Sequence, residues 1–153
     1  MIMHGIILEL FCDIPELLKK SKTIINQFNW LITGYDCYSY FDLDIDDPLL
    51  WFNNNAMVPF IDDNQLQFIW GVFSGFDKDI SPDDILKCKE PYANGNKNFW
   101  DSNFKVQHPL ATMEIVAWDS SSILIISKSA EIINFYKNFF SNAKDLKEYN
   151  LRS

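Results

Sequence analysis

Leu110–Trp118 reads LATMEIVAW and Ile123–Ser127 reads ILIIS, with Asp119-Ser120-Ser121-Ser122 between them. Two apolar runs around a short polar break predict a β-hairpin whose faces are both largely covered. Downstream, Ile132, Ile133, Phe135, Tyr136, Phe139, Phe140 and Ala143 recur at helical spacing. They predict a closing helix from about Ala130 to Ala143 with one apolar face.

Upstream of the hairpin, each segment carries its own boundary signals. Ile6 to Phe11 reads as a first strand. Asp13 then caps a helix, with Pro15 in the first turn and Glu16 at the third helical position, a variant of the capping box. Ile14, Leu17, Leu18, Ser21, Ile24, Ile25 and Phe28 give that helix a buried face as far as Asn29. Trp30 to Phe41 is rich in aromatic and β-branched residues, interrupted by Gly34, and suits a strand pair or one bulged strand. Asp42 to Asp47 is a charged turn, Leu49 to Phe52 a short segment, and Asn53 to Asn55 its end. Gln65 to Phe73 is the next strand, with Gly71 and Gly75 read as breakers. Ser81-Pro82-Asp83-Asp84 starts a short helix that stops before Pro91. Tyr92 to Gln107 is irregular, with a turn at Asn94-Gly95. The order β-α-β-β-α-β-β-α predicts an α+β fold, an antiparallel or mixed sheet with helices packed mainly on one face. No repeat or linker divides residues 1–153, so one domain is expected.

With 48% hydrophobic and 16% aromatic residues the chain can bury a full core, which excludes disorder. No stretch reaches the roughly 18 apolar residues of a membrane span. The first ten residues lack the basic start and small-residue cleavage site of a secretory signal. Cys12, Cys37 and Cys88 are an odd set at wide spacing, which suits a reducing compartment. The expected location is the cytoplasm.

Charge is concentrated in the middle of the chain. Between Thr23 and Leu86 stand eleven Asp, no Glu and one cation, Lys78, a local charge of −10. The rest carries 12 basic and 10 acidic residues, so the net −8 belongs to this segment. Such a field repels nucleic acid and anionic membrane and steers basic partners inward.

The motifs of catalysis and metal binding fail on inspection. Asp42-Leu43-Asp44-Ile45-Asp46 resembles the opening of a calcium loop, but Asp47 stands where the turn needs Gly and Asn53 where the last ligand needs Glu. His4 and His108 stand alone, and no Cys or His pair has zinc-ligand spacing. No nucleophile elbow surrounds any cysteine. Gly71-Val72-Phe73-Ser74-Gly75 lacks the Lys and helix start of a phosphate loop. Arg152 is the single arginine, at an end that reads as disordered, so no guanidinium clamp forms. The reading is no enzyme, no cofactor and no metal.

What remains is acid beside aromatic: Tyr35, Tyr38, Tyr40, Trp51 and Trp70 lie in the acidic segment. Tyr and Trp anchor interfaces, while acids around them steer and select. The candidate partner-binding residues are Asp36, Tyr38, Asp42, Asp44, Asp46, Asp47, Trp51, Asp62 and Asp63.

In size, charge and lack of catalytic motifs the chain resembles the immunity proteins of bacterial contact-dependent inhibition and polymorphic toxin systems. Those families share no universal motif, so the resemblance carries over no residue. It implies a protein that binds and neutralises a cognate toxin domain, often a basic nuclease, here with the acidic segment standing in for a phosphate backbone. A second, local resemblance joins Gly5-Ile6, Val116-Ala117-Trp118-Asp119-Ser120, Lys128, Glu131 and Asn142-Ala143 to a small uncharacterised bacterial family. It supports the terminal hairpin and helix and gives no activity. The competing readings are a small hydrolase using carboxylates in a cleft, and an acidic adaptor or regulator for a basic protein.

Overall fold

The computed structural model describes residues 2–11, 13–41 and 43–152. At its centre, β5 (Met113–Trp118) and β6 (Ser122–Ser127) lie antiparallel, with Ile115 opposite Ile125 and Val116 opposite Leu124. Asp119 and Ser120, both at positive φ, turn the chain between them. β1 (His4–Glu9) pairs with β6, and the two-residue β7 (Lys144–Asp145) pairs with β1. On the other flank come β4 (Leu66–Asp77), β2 (Phe28–Ser39) and β3 (Leu50–Phe52). The sheet order is β3-β2-β4-β5-β6-β1-β7, antiparallel throughout. The fold is α+β, as the element pattern requires.

Helices α1 (Ile14–Lys20), α2 (Lys22–Ile25), α3 (Met57–Asp63) and α5 (Ala130–Phe139) share one face of the sheet. Leu17, Ile25, Ile61 and Ile133 meet Ile6, Trp30, Phe73 and Ile115 there, all of them buried. The opposite face carries Ile7, Leu31, Val72, Val116 and Leu124. It is covered by the 78–112 segment, with α4 (Pro82–Leu86) and a 3-10 turn (Lys97–Trp100), and by α6 (Leu146–Arg152). Burial on both faces is why the central strands read as unbroken apolar runs.

Local signals act where expected. Asp13 accepts from Glu16 N–H, and Ser81 accepts from Asp83 N–H ahead of Pro82. Each satisfies a first-turn donor that has no partner inside the helix. Asn54 and Asn55 adopt positive φ and end β3.

Several boundaries differ from the sequence reading. The first helix breaks at Ser21, whose hydroxyl donates to Leu17 C=O, and resumes as α2. α3 was not expected; nor were β7 and α6, and Arg152 is helical. β4 runs on through Gly71 and Gly75 to Asp77, so neither glycine breaks it. Gly75 instead admits Trp30: a Cβ there would lie 2.9 Å from the indole Cη2. α5 ends at Phe139, which is 47% exposed and lies outside the buried core the pattern assigned it to.

Candidate functional site

β2 is built in two halves. Its first half lies between β3 and β4, with Ile32 the last residue paired to β3. Gly34 then takes φ +54°, with the Tyr92 backbone packed 2.9 Å from where a Cβ would stand. The register against β4 shifts between Thr33 and Asp36 and again before Cys37, a bulge of the kind that bends and twists a strand. Beyond it, Cys37 faces Phe68 and Ser39 faces Leu66. This end of β2 reaches past β3, whose pairing with it ends at Ile32 among the described residues.

Alternation along this end separates two kinds of side chain. Tyr35 and Cys37 pack against the helix-side core, while Asp36, Tyr38 and Tyr40 are exposed. The Tyr38 and Tyr40 rings meet edge to face at 5.7 Å. Tyr38, Tyr40, Phe41 and Leu43 are 50%, 66%, 66% and 39% exposed, an unusual run of apolar surface at one tip. The loop that follows is held by Ile45, which packs on the helix-side core, and by the Tyr35 hydroxyl, which donates to Asp47 C=O. Burial, then the neighbouring Cys37 and the acids Asp47 and Asp46, pushes the Tyr35 phenol upward. Burial and then Asp36 push the Cys37 thiol to about 11, so it stays protonated and unreactive near neutral pH.

The structure therefore brings Asp36, Tyr38, Asp44, Asp46 and Asp47 to one end of the sheet, all exposed. Among the described residues none of these four acids forms an ion pair. Asp42 lies outside the described residues, as does Cys12. Trp51 sits elsewhere: it is half-buried on β3, against Phe76 in the loop-side core at 6.4 Å. Asp62 and Asp63 lie on α3, in a shallow depression that also holds Lys19 and Lys22. Asp62 pairs with Lys19 at 3.2 Å, so its charge is already met within the chain. Phe41 and Leu43 were not singled out in the sequence, where each reads as one more apolar residue beside a turn.

A second polar centre was also missed. Glu114 is fully buried on β5, opposite Ser74 of β4. Its carboxyl accepts from Gln107 N–H at 2.5 Å, His108 N–H at 3.0 Å and the Ser74 hydroxyl at 2.8 Å. Burial drives its pKa up to about 7 against these three bonds. Beside it, buried His108 accepts from Leu110 N–H through Nδ1, which leaves Nε2–H to donate to Ile85 C=O at 2.9 Å. Burial holds His108 below its usual pKa, in the neutral form those two bonds require. The signal was present as one acid inside LATMEIVAW. These groups clamp the 78–112 segment onto the sheet.

Among the described residues, no three His, Cys, Asp or Glu converge to hold a metal ion, and no helix is long and apolar enough to cross a membrane. No family model, curated protein or solved structure matches the chain.

Proposed function

We propose that the chain is an immunity-type protein that neutralises a basic toxin domain, of nuclease type, by binding it at the free end of β2. The observation that carries this reading is the joint exposure of Tyr38, Tyr40, Phe41 and Leu43 beside four acids with which no Lys or Arg pairs among the described residues. Exposed apolar side chains cost solvation, and like charges close together repel, so neither serves the folded chain by itself. Together they match an interface in which rings anchor and acids attract a basic surface. The partner would meet the chain in the cytoplasm, and inhibition needs occupancy rather than turnover.

The reading also accounts for the acids by position. Asp44, Asp46 and Asp47 lie within one loop, and exposed charges act over ~8 Å at physiological salt. A domain that binds a phosphate backbone carries basic groups at comparable spacing, so one loop can engage several of them.

Co-expression tests it. A basic toxin encoded beside this chain should arrest growth alone and be tolerated with it. A variant with Tyr38→Ala, Asp44→Asn, Asp46→Asn and Asp47→Asn should fold yet lose protection. Protection that survives those four changes, or a small substrate hydrolysed by the purified chain with that activity lost on mutating one carboxylate, would remove the proposal.

A further inference from the structure

Asn94 is the one asparagine of the chain that glycine follows, and the pair stands at the tip of a tight turn. Asn96 N–H donates to Ala93 C=O at 2.9 Å and closes the four residues 93–96. Ala93 and Asn96 are buried and hold the two ends, while Asn94 and Gly95 are exposed. Gly95 takes φ +82°, as the third residue of a type II turn does, and a Cβ there would meet nothing within 4 Å. We infer that Asn94–Gly95 is a modification site, at which Asn94 loses its side-chain amide spontaneously and becomes aspartate or isoaspartate. The reaction takes water as its only co-reactant and needs no partner protein.

The first step is attack by the Gly95 backbone nitrogen, once it has given up its proton, on Cγ of Asn94. An N–Cγ bond forms, the Cγ–Nδ2 bond breaks, and Nδ2 takes a proton and leaves as ammonia. Water then opens the resulting succinimide ring. Addition at Cγ restores the ordinary backbone as aspartate; addition at the main-chain carbonyl gives isoaspartate, with the chain rerouted through Cβ. Three features admit the attack here. A side chain after the asparagine would crowd the attacking nitrogen, and Gly95 has none. Among the described residues, neither the Asn94 amide nor the Gly95 N–H is held by a hydrogen bond. Open space beside the Gly95 Cα lets the 94–95 peptide rotate until its nitrogen meets Cγ. Asn96 supplies the contrast. It is buried, its Nδ2 donates to Tyr92 C=O at 2.9 Å and to Gln107 Oε1 at 3.1 Å, and its Oδ1 accepts from Asn98 N–H at 3.0 Å. That amide is held away from its own backbone, and Lys97 follows it, so Asn94 reacts and Asn96 does not.

The test incubates the full folded chain at pH 6 and at pH 8.5, then digests it with trypsin at pH 6. Mass spectrometry follows the peptide 90–97, released by cleavage after Lys89 and Lys97, and its fragment ions separate Asn94 from Asn96. Conversion of amide to acid at Asn94 should be severalfold faster at pH 8.5, because the attacking nitrogen must first lose its proton. An isoaspartate-specific methyltransferase should label residue 94 and leave residue 96 unlabelled. Asn94→Gln should lose the labelling, since its longer side chain closes a larger ring far more slowly. A synthetic peptide of residues 90–97 is the unfolded reference. No conversion in the folded chain while that peptide converts overturns the inference. So does conversion of Asn96 to the same extent as Asn94, or a rate at Asn94 that ignores pH.

Discussion

Replacing Glu114 by Ala should remove about 3–5 kcal/mol of stability, an amount that follows from counting donors. Three of them converge on its carboxyl: Gln107 N–H, His108 N–H and the Ser74 hydroxyl. A buried donor left without a partner costs about 1–3 kcal/mol, and water entering the vacated space recovers part of that. For a chain of this size the loss corresponds to a fall in Tm of roughly 10 °C. Glu114→Gln keeps the volume. With its oxygen placed toward Ser74 and His108 it sets an amide N–H against the Gln107 N–H, so it should cost about 1–3 kcal/mol.

The two variants also separate charge from shape through pH. Burial raises the Glu114 pKa to about 7, above its usual 4.5, so the folded state holds the proton more tightly than the unfolded state. Its contribution is therefore complete below pH 4.5 and lost as pH rises through 7. His108 works in the opposite direction: with its folded pKa lowered, its contribution is present above 6.5 and lost as pH falls. Urea unfolding followed by Trp fluorescence at pH 5, 6, 7 and 8 would read both. The parent should lose stability from Glu114 as pH rises across this range, and Glu114→Gln should lose that component of the slope. An Ala variant within about 1 kcal/mol of the parent, or a Gln variant with an unchanged pH slope, refutes the clamp.

Three further outcomes are expected. Ile133→Ala, at a site 1% exposed, should cost about 2–5 kcal/mol in urea unfolding, whereas Phe139→Ala, at 47% exposed, should cost about 1 or less. Gly75→Ala should destabilise by about 1–3 kcal/mol, because its Cβ would meet the Trp30 ring at 2.9 Å while the Trp30 Nε1–H is fixed on Ile25 C=O at 2.8 Å; thermal melting would show it. Asp44→Asn with Asp46→Asn and Asp47→Asn should leave the melting temperature unchanged or higher, slow association with a basic partner severalfold, and flatten its salt dependence in surface plasmon resonance.

The parts of the fold legible in the sequence are those set by near neighbours. The hairpin at 113–127 announces itself through two apolar runs, and the caps at Asp13 and Ser81 through residues three or fewer positions away. α3 was illegible because it has no side-chain cap and follows an Asn turn; burial of Met57, Val58 and Ile61 makes it helical, and burial is a property of the assembled fold. Gly75 looked like a breaker because its partner, the Trp30 ring, lies 45 positions away on β2. The same division runs through the site. Asp36 to Asp47 is one strand end and one loop, so its acids stay together on folding. Trp51 and Asp62 depended on packing against Phe76 and Lys19, which only the fold reveals. Glu114 could be seen as an anomaly, but its partners at 107 and 108 come from an irregular segment that carries no pattern.

The two unusual features of this end of the molecule explain each other. An unpaired strand edge invites pairing with any extended chain, including another copy of itself, and proteins guard such edges with charge, bulges or very short strands. Here the pairing of β2 with β3 stops at Ile32, the register shift after Thr33 bends the remainder of β2, and Asp36, Asp44, Asp46 and Asp47 are exposed at that end. Charge of a single sign is a selective guard. It repels an identical edge and any acidic segment and attracts a basic one, so under the proposed function the same charge would also favour a basic partner. A guard of mixed charge would protect against self-pairing less and select nothing. The exposed rings of Tyr38, Tyr40 and Phe41 make the same point from the apolar side. Without the acids they would be an aggregation hazard, and with them, under the proposed function, they are surface suited to a complementary basic chain.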